Sequence, residues 1–339
     1  MITQQLINDR IHIPNVPLIP GLNFRTFRGE SDLPAMLEVI NGCKAEDKVE
    51  RSETLQDITN NYNHLEHCDP YQDMLIAEVD DRMIAYTRVT WNKQEDGLTY
   101  YMTFGFLLPE WRRQGIGSAM LGWTEDRLRQ LASTHDKTGP RFFQAGAADT
   151  EKGTTALLEK AGYLPARYEF NMSRPISEPL PEAPMPPGLE VRPVKPEHIR
   201  PIWDAMQEAF RDHWGFAEEG EEIYQAWQGQ SSFQPAIWKV AWEGDQVAGM
   251  VLNFLDENEN EEYKRLRGYT EGISVRRPWR KKGLARSLIV QSIQMFKVMG
   301  MTETALGVDS QNLSGALRLY QGVGYRQTKQ FTIYRKPLE

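Results

Sequence analysis

The chain has 339 residues, of which 40% are hydrophobic and 25% are charged, and its 47 acidic against 39 basic residues give a formal net charge of −8. This length and composition are typical of a globular protein with about two domains, and the acidic balance argues against a general nucleic-acid binder, which needs an extended basic face. Apolar runs are too short to cross a bilayer, the N-terminus lacks the basic and apolar segments of a secretory signal, and the two cysteines, Cys43 and Cys68, have no metal-site spacing. We therefore expect a cytoplasmic protein without a membrane span, a bound metal ion or a nucleic-acid partner.

The first half of the chain predicts short strands and helices separated by polar turns. In chain order these are a strand at Asn23–Phe27, a helix around Leu33–Ile40, two strands at Met74–Val79 and Met83–Thr90, and a strand at Leu98–Leu108. The pair Asp80-Asp81 between the two middle strands is typical of a tight hairpin turn. Strands and helices mixed in this way predict an α/β fold.

A similar order of elements returns in the second half. The pattern predicts strands at Glu190–Val194, Ile237–Trp242, Gln246–Leu255, Gly268–Val275, Thr304–Val308 and Gln327–Tyr334, and helices at His198–Arg211 and Leu313–Gln321. A further helix, which Gly300 can end, is predicted by apolar residues at helical spacing: Leu288, Ile289, Ile293 and Phe296. The acidic segment Asp256–Glu262 is most simply interpreted as a solvated hairpin tip.

Short motifs of the first half recur in the same order in the second half. GLNFRTF at Gly21 returns as GLEVRPV at Gly188. EWRRQGIG, which ends at Gly117, returns as PWRKKGLA, which ends at Ala285, and the ordered matches lie at offsets between 161 and 168 residues. Ordered matches with slowly drifting offsets indicate an internal duplication of one domain.

A proline-rich segment separates the two copies. Residues 175–187 contain many prolines and no apolar period, which is typical of a semi-rigid extended linker. We therefore predict an N-terminal domain over 21–174 and a C-terminal domain over 188–339.

A basic, glycine-containing loop stands out within the acidic chain. The stretch RRPWRKKGLAR, Arg276–Arg286, has six basic residues among eleven and lies between a predicted strand and a predicted helix. A glycine turn that opens a helix exposes main-chain N–H groups, which together with the helix dipole form an anion site suited to a pyrophosphate. The loop has neither the G-x-x-x-x-G-K-[ST] nor the G-x-G-x-x-G pattern, so neither a P-loop nor a Rossmann dinucleotide site is indicated.

This loop resembles the acetyl-CoA loop of the GCN5-related N-acetyltransferases (GNAT), whose pattern is R/Q-x-x-G-x-G/A between a central strand and a helix. The second copy has the pattern at Arg280–Ala285, and the first copy has it at Arg112–Gly117. The two loops occupy the same place in a duplicated strand order that itself resembles the family. The resemblance implies two tandem GNAT-type domains, each a mixed, mostly antiparallel sheet with a splayed parallel strand pair for acyl-CoA, and acetyl-CoA as a co-substrate without a metal.

The resemblance also implies which residues bind the cofactor. The pantetheine arm would lie along Ile273, Ser274 and Val275, with Asn312 contacting it from the far side. The pyrophosphate would lie on the loop of the second copy, formed by Arg280, Lys281, Lys282, Gly283, Leu284, Ala285 and Arg286. The matching residues of the first copy are Arg112, Arg113, Gly115 and Gly117. Two alternatives stay open: Asn312 could simply cap the helix predicted from Leu313, and the basic residues Arg276, Arg277 and Arg286 could reach the 3′-phosphate or, as we expect for two of the three, be solvated.

Two residues of the second copy are candidates for proton transfer. Tyr320 stands where the family commonly has a tyrosine that protonates the departing thiolate, and its alternative interpretation is a core aromatic residue. Glu271 would share a strand face with Ile273 and Val275 and could accept the proton of the attacking amine. Its alternative interpretation is an ion-paired strand residue.

The first copy lacks both candidates. Its matching positions hold Thr103 and Leu158, which carry no carboxylate and no phenol. We therefore predict that the C-terminal domain transfers acetyl from acetyl-CoA to an amine by direct attack in a ternary complex. Main-chain N–H groups of the central strand would stabilise the developing oxyanion.

Other functions and partners remain open from the sequence. One alternative is a catalytically silent CoA- or acyl-CoA-binding sensor or interaction module, and another is a mycothiol-synthase-like acetyltransferase acting on an amino-sugar conjugate. The acceptor is expected to be a small-molecule or peptide amine, and the protein a monomer or homodimer. His213, in RDHWGF, lies in a segment that covers the acceptor site in the family, but we keep it out of the catalytic set.

Overall fold

The structure is a computed structural model that describes residues 10–14, 16–94, 96–312 and 314–339. It divides into two compact units: unit 1 contains the described residues up to Pro165 together with Tyr334–Glu339, and unit 2 contains Ala166–Ile333. These units differ from the sequence repeats 21–174 and 188–339. Most of the last strand of the first repeat belongs to unit 2, and the last residues of the second repeat belong to unit 1.

Unit 1 is a mixed sheet with helices. Its strands are β1 (Leu22–Arg25), β2 (Met74–Val79), β3 (Arg82–Lys93), β4 (Thr99–Leu107) and β5 (Arg141–Ala148). Its helices are α1 (Leu33–Asp47), α2 (Leu55–Asn63), α3 (Pro70–Asp73), α4 (Ile116–Ser133) and α5 (Lys152–Lys160). The strands neighbour one another in the order β1-β2-β3-β4-β5, antiparallel except for the parallel pair β4–β5.

Unit 2 repeats this architecture. Its strands are β6 (Leu164–Pro175, which starts in unit 1), β7 (Glu190–Arg192), β8 (Lys239–Glu243), β9 (Gln246–Leu255), β10 (Arg267–Val275), β11 (Glu303–Asp309) and β12 (Arg326–Pro337, which ends in unit 1). Its helices are α6 (Ile199–Phe210), α7 (Glu221–Gln228), α8 (Glu257–Glu262), α9 (Leu284–Val298) and α10 (Ala316–Gly322). Strands β7, β8, β9 and β10 are antiparallel, β10 pairs in parallel with β11, and β6 is antiparallel to β11. The predicted mixed α/β fold with a parallel strand pair in each copy is confirmed.

Local turn signals in the sequence are confirmed as well. Asp80 and Asp81 both have positive φ, 49° and 63°, as a tight hairpin turn between β2 and β3 requires. Gly300 has φ 84° and follows the end of α9, where a left-handed residue stops a helix at low steric cost. These features depend on neighbouring residues only, so the sequence is sufficient to predict them.

The predicted hairpin tip at Asp256–Glu262 is wrong, because this segment forms helix α8. The side chain of Asp256 accepts a hydrogen bond from the Glu259 N–H at 2.8 Å and caps the helix. Glu259 is buried, with ion pairing to Arg265 and a hydrogen bond from the Tyr269 hydroxyl. A buried cation and phenol therefore draw one carboxylate of the acidic run inward.

Helix α9 packs against the sheet of unit 2 through the side chains whose spacing predicted it, all of them buried in one cluster: Leu288, Ile289, Ile293 and Phe296. A Cβ on Gly268 of β10 would lie 2.5 Å from the Phe296 ring, so glycine is needed for this close approach. Among the described helices, none combines the length and the apolar character that crossing a membrane requires.

The proline-rich segment 175–187 begins with a turn after β6 and packs on unit 2. Ile176 is 4% exposed, and its N–H donates to the Thr302 carbonyl at 2.8 Å. The buried guanidinium of Arg174 donates to the carbonyls of Glu178 and Pro179 at 3.0 and 3.2 Å. The segment is therefore attached to the core of unit 2 by apolar side chains and main-chain hydrogen bonds.

Candidate active site

The basic loop of unit 2 forms an uncapped helix start. After β10, a short turn leads to Gly283, which has φ 86°, and no side chain caps α9. The first bond within the helix runs from the Ser287 N–H to the Gly283 carbonyl at 3.1 Å. The N–H groups of the first turn, which begins at Leu284, therefore have no partner inside the helix and can bind an anion.

This anion site is open to a ligand. A Cβ on Gly283 would meet no atom of the described residues within 4 Å. Lys281, Lys282 and Arg286 are exposed around it, whereas Leu284 is buried and anchors the loop. The residues present thus fit a pyrophosphate, because main-chain donors with no partner inside the helix and exposed cationic side chains lie around this glycine.

The guanidinium of Arg280, which is predicted as a phosphate ligand, has three protein partners in this structure. Its Nε donates to the Val275 carbonyl at 2.9 Å, and its Nη2 donates to the Ala209 carbonyl at 3.0 Å. Its remaining terminal nitrogen pairs with Asp212, and the bonds from Arg277 and Arg280 hold the pKa of that carboxyl well below its usual range. The planar guanidinium matches these three acceptors, so it attaches the loop to the end of α6.

Unit 1 contains the same arrangement. Arg112 donates from Nε to the Leu107 carbonyl at 2.9 Å and from its two terminal nitrogens to Asp47, at 2.6 and 2.8 Å. Asp47 is the last residue of α1, as Asp212 lies just after α6. The first arginine of the motif therefore connects the loop to a helix in both units, and the contact of Arg112 with a ligand stays a prediction.

Two of the three flanking arginines are paired. Arg276 donates to Glu208 at 2.8 Å, and Arg277 donates to Asp212 at 3.1 Å. Arg286 is exposed on the first turn of α9. Arg277 is also exposed despite its ion pair, so two of the three flanking arginines are accessible to solvent and Arg276 is half-buried.

The two parallel strand pairs open beyond a short paired stretch. In unit 2 the parallel register runs only from Arg267↔Glu303 to Tyr269↔Ala305, although β10 continues to Val275. In unit 1 it covers four residue pairs at the start of β4 and β5, and β4 likewise continues. The second half of β10 therefore presents main-chain groups along the opening, where an extended ligand can pair like a strand.

A bulge in β10 changes which side chains share a face. Gly272 has φ 56°, Glu271 lies opposite Leu252, and Ser274 lies opposite Met250. Leu252 and Met250 are two residues apart on β9 and point to the same face of the sheet. Their partners on β10, Glu271 and Ser274, therefore share a face. The prediction that Glu271 shares a face with Ile273 and Val275 is therefore wrong. Those two residues, Ile273 and Val275, pack with the α9 cluster.

Glu271 lies in the opening between β10 and β11. One of its carboxylate oxygens accepts a hydrogen bond from the Gly307 N–H at 2.7 Å. Burial raises the pKa of Glu271 from its ordinary value of 4.5 to about 7, and this hydrogen bond opposes the rise. A carboxylate that titrates near neutral pH is suited to accept a proton from an amine.

Tyr320 lies on α10 and is 5% exposed. Its ring contacts the Tyr325 ring edge-on, with centroids 6.3 Å apart, so the residue is also part of the core. Burial, and to a lesser extent the charge of Glu271, raises the pKa of Tyr320 above its ordinary value of 10.0. The phenol therefore stays protonated at neutral pH and can donate to a developing thiolate.

Unit 1 has neither the bulge nor the two proton-handling groups. The register between β3 and β4 is continuous from Ala85↔Leu107 to Lys93↔Thr99. Thr103, at the position of the carboxylate, is buried with its hydroxyl 3.3 Å from that of Thr87, and Leu158, at the position of the tyrosine, is 2% exposed. The two copies thus keep one fold with different side chains at these two positions.

The N-terminal segment passes close to the loop of unit 1. A Cβ on Gly115 would lie 3.7 to 3.9 Å from side-chain carbons of Pro17. Ile13, which is 4% exposed, and the hydrogen bond from the Ile11 N–H to the Phe24 carbonyl at 2.8 Å hold the segment in place. The two loop glycines therefore share a left-handed conformation and are both exposed, but only the one in unit 1 has side-chain carbons within 4 Å of a Cβ.

Asn312 has a local and a long-range partner. Its side-chain oxygen accepts from the Ser314 N–H at 2.7 Å, and its side-chain nitrogen lies 2.9 Å from Nε2 of His213. The alternative of a helix cap is wrong, because α10 begins at Ala316 with Gly315 in the cap position. Leu313, the predicted start of that helix, lies outside the described residues.

Sequence reasoning missed the residues that hold this part of the site. Arg167, on β6, forms an ion pair with Asp309 at the end of β11, 142 positions along the chain. Asp212, in the same short segment as His213, was not singled out either. The sequence offered one signal for these residues, the polar and aromatic segment RDHWGF beside the end of a predicted helix.

Comparison with known proteins agrees with this architecture. The sequence model of the acetyltransferase (GNAT) family matches residues 34–163 and 199–325. A mycothiol acetyltransferase from Catenulispora acidiphila is 27% identical over 241 residues, which cover 68% of this chain and 70% of that protein. Among solved structures, a GCN5-related N-acetyltransferase from Sphaerobacter thermophilus is similar with a TM-score of 0.69 and 22% identity, covering 96% of this chain and 97% of that chain. A tandem GNAT protein from the clavulanic acid biosynthesis pathway has a TM-score of 0.63 and 13% identity, covering 93% and 98% of the two chains. The chain belongs to the acetyltransferase (GNAT) family, and it carries the family's domain twice.

Proposed function

We propose that this chain transfers an acetyl group from acetyl-CoA to an amine by direct attack in a ternary complex, and that unit 2 performs the chemistry. The observation that supports this assignment is the bulge of β10, which directs Glu271 to Gly307. Tyr320 lies near enough that, after burial, the charge of Glu271 raises its pKa. The open helix start at Gly283 lies at the end of the same strand. Unit 1 lacks both proton-handling groups.

Acetyl-CoA is a substrate of this reaction, and the chain supplies its binding surface. The first N–H groups of α9, with the exposed ammonium groups of Lys281 and Lys282, would hold the pyrophosphate. Main-chain groups of Ile273–Val275 would pair with the pantetheine arm. This places the thioester beside the cleft, and positioning supplies much of the rate because a thioester is already activated.

Proton transfer follows from the two side chains of the cleft. Glu271 accepts a proton from the acceptor ammonium, and the neutral amine then attacks the thioester carbonyl. Main-chain N–H groups of β10 stabilise the negative charge that develops on the carbonyl oxygen. As the carbon–sulfur bond breaks, Tyr320 donates a proton to the departing sulfur, and the nitrogen loses its extra proton, which restores the phenol of Tyr320. The products are an amide and CoA as its thiol, and the proton taken up by Glu271 is released to solvent.

A single acetyl-CoA site per chain is part of this proposal. In unit 1, side-chain carbons of Pro17 lie 3.7 to 3.9 Å from a Cβ on Gly115, whereas a Cβ on Gly283 meets no described atom within 4 Å, so a ligand has less room at the loop of unit 1. Unit 1 would then support unit 2 without binding the cofactor. Binding of two acetyl-CoA molecules would contradict this part of the proposal and leave the chemistry in unit 2 intact.

The similarity to mycothiol acetyltransferases favours one class of acceptor. Because the match covers more than two thirds of both chains, an amino-sugar conjugate is the first acceptor to test. Other small-molecule and peptide amines form the comparison set. Release of CoA with none of them, while acetyl-CoA still binds, would support the alternative of a catalytically silent acyl-CoA sensor.

The test is the stoichiometry of acetyl-CoA binding, measured by calorimetry on the whole chain. The variant Gly283→Glu places a negative charge and a side chain at a left-handed position of the open loop, and Gly115→Glu is its matched control in unit 1. We expect one site in the wild type and in Gly115→Glu, and none in Gly283→Glu. No binding by the wild type would overturn the proposed function.

A further inference from the structure

A group of polar and aromatic side chains lies beside the cleft of unit 2. Gly307 of β11 binds Glu271, and Asp309 lies two residues further along the same strand. Around Asp309 the chain brings together side chains from β6, from the segment after α6 and from the loop after β11. This group is named the His213 cluster and consists of Arg167, His213, Trp214, Asp309 and Asn312.

Arg167 holds the cluster together. It donates to both carboxylate oxygens of Asp309, at 2.8 and 2.6 Å, and to the side chain and the carbonyl of Gln311, at 3.0 and 3.2 Å. Its guanidinium lies 4.9 Å from the ring centre of Trp214. The side chains of Arg167 and Asp309 are 12% and 7% exposed, so water competes little for this pair. The loop after β11 and the segment after α6 are therefore both attached to β6.

The hydrogen bonds of Asn312 determine the protonation state of His213. Because the Ser314 N–H occupies the side-chain oxygen of Asn312, the NH2 group must face the imidazole. An NH2 group can only donate, so Nε2 of His213 must be the acceptor and carries no proton. The imidazole is therefore neutral, with its hydrogen on Nδ1.

The surroundings of His213 favour this neutral form. Burial lowers the pKa of His213 below its ordinary value of 6.5, the positive charge of Arg167 on β6 also lowers it, and the negative charge of Asp309 on β11 opposes both. The main chain of Trp214 bonds to the ring and also raises the pKa, and the Phe210 ring packs at a centroid distance of 5.3 Å. Protonation would direct an N–H of the ring at the NH2 group of Asn312, and the bond would be lost.

We propose that His213 is a positioning residue: as a neutral imidazole it orients the amide of Asn312 toward acetyl-CoA. The inference rests on the proposed function, because it assumes that acetyl-CoA binds in unit 2. With one N–H used by His213 and one oxygen lone pair used by Ser314, the amide still has one donor and one acceptor in fixed directions. Protonation of His213 releases this orientation, so the affinity for acetyl-CoA falls in mildly acidic solution.

The experiment measures the Kd of acetyl-CoA by calorimetry between pH 5.5 and pH 8. All proteins carry Glu271→Gln, so that the titration of Glu271 does not contribute. His213→Ala removes the acceptor, and His213→Gln keeps an acceptor oxygen that does not titrate. His198→Gln, at a histidine that bonds the Lys195 N–H elsewhere in unit 2, is the matched control.

We expect His213→Ala to weaken binding about fivefold to tenfold at pH 8, the effect of one lost hydrogen bond. His213→Gln should bind acetyl-CoA within about twofold of its parent at pH 8. Its affinity should stay constant at low pH, whereas the affinity of the parent and of His198→Gln should fall. Adding Asn312→Ala should abolish the effect of His213→Ala, because the two residues act through one bond.

Two results separate this inference from the proposed function. Absence of acetyl-CoA binding in the parent protein would overturn both. Binding by the parent together with additive effects of His213→Ala and Asn312→Ala, or with an unchanged pH dependence in His213→Gln, would overturn the positioning role alone.

Discussion

The most informative single change is Glu271→Gln. Glutamine keeps an oxygen that can accept the Gly307 N–H, which Glu271 accepts at 2.7 Å, so we expect the bulge of β10 to persist. It removes the carboxyl group, which is the part of the side chain that titrates. The substitution therefore separates proton transfer from the architecture of the cleft.

The magnitude follows from the pKa of Glu271, which burial raises from 4.5 to about 7. A rise of this size corresponds to about 3 kcal/mol of destabilisation of the folded protein when the carboxylate is charged. Because the folded pKa is raised, the protonated side chain stabilises the folded protein relative to the charged one. This stabilisation is fully present below pH 4.5 and is lost as the pH rises through 7. Glu271→Gln should therefore be more stable than the wild type at pH 8 and nearly equal to it at pH 4.5.

Glu271→Gln should lower activity at the pH values at which it raises stability. In the wild type, kcat/KM should rise with pH through an apparent pKa near 7, as Glu271 becomes able to accept a proton. Loss of a general base typically costs about 100-fold to 10,000-fold, and the rising limb should disappear with it. The assays are CoA release against pH and thermal unfolding at pH 5 and pH 8.

The matched control is Glu261→Gln, at an exposed position of α8. This variant should follow the wild type in both assays. The reasoning is refuted if Glu271→Gln keeps the rising limb near pH 7, or if its stability changes between pH 5 and pH 8 as that of the wild type does. Either result would mean that Glu271 is ionised in the cleft at all pH values tested or that it does not move the proton.

Three further changes test other parts of the structure. Tyr320→Phe should lower kcat about 100-fold with the Kd of acetyl-CoA unchanged, since only the proton donor is lost; an unchanged kcat would remove the residue from the mechanism. Arg280→Lys cannot serve all three acceptors of the guanidinium, so acetyl-CoA binding should weaken about fivefold in calorimetry, whereas Arg112→Lys should leave it unaltered. A fragment of residues 188–339 lacks β6, which pairs with β11 along seven residues, so it should show no cooperative thermal transition. A fragment of residues 164–339 keeps β6 and should unfold cooperatively. Cooperative unfolding of the shorter fragment would show that β6 is dispensable.

The sequence by itself was sufficient for the features that depend on neighbouring residues. The hairpin turn at Asp80-Asp81 and the left-handed Gly283 are required by local backbone geometry, so they can be inferred from short motifs. The duplication is visible because two copies of one pattern recur at a nearly constant offset. The family resemblance, the fold class and the location of the basic, glycine-containing loop all follow from these two kinds of signal.

Only the tertiary structure determined which residues meet. Arg280 pairs with Asp212, 68 positions away, and His213 bonds Asn312, 99 positions away, and no local pattern specifies either pair. The bulge at Gly272 reversed the expected face of the following residues, because one inserted residue shifts the two-residue alternation of a strand. The assignment of most of β6 to unit 2 was equally invisible, since a strand pairs with whichever edge leaves its apolar side buried, and its sequence does not name that edge.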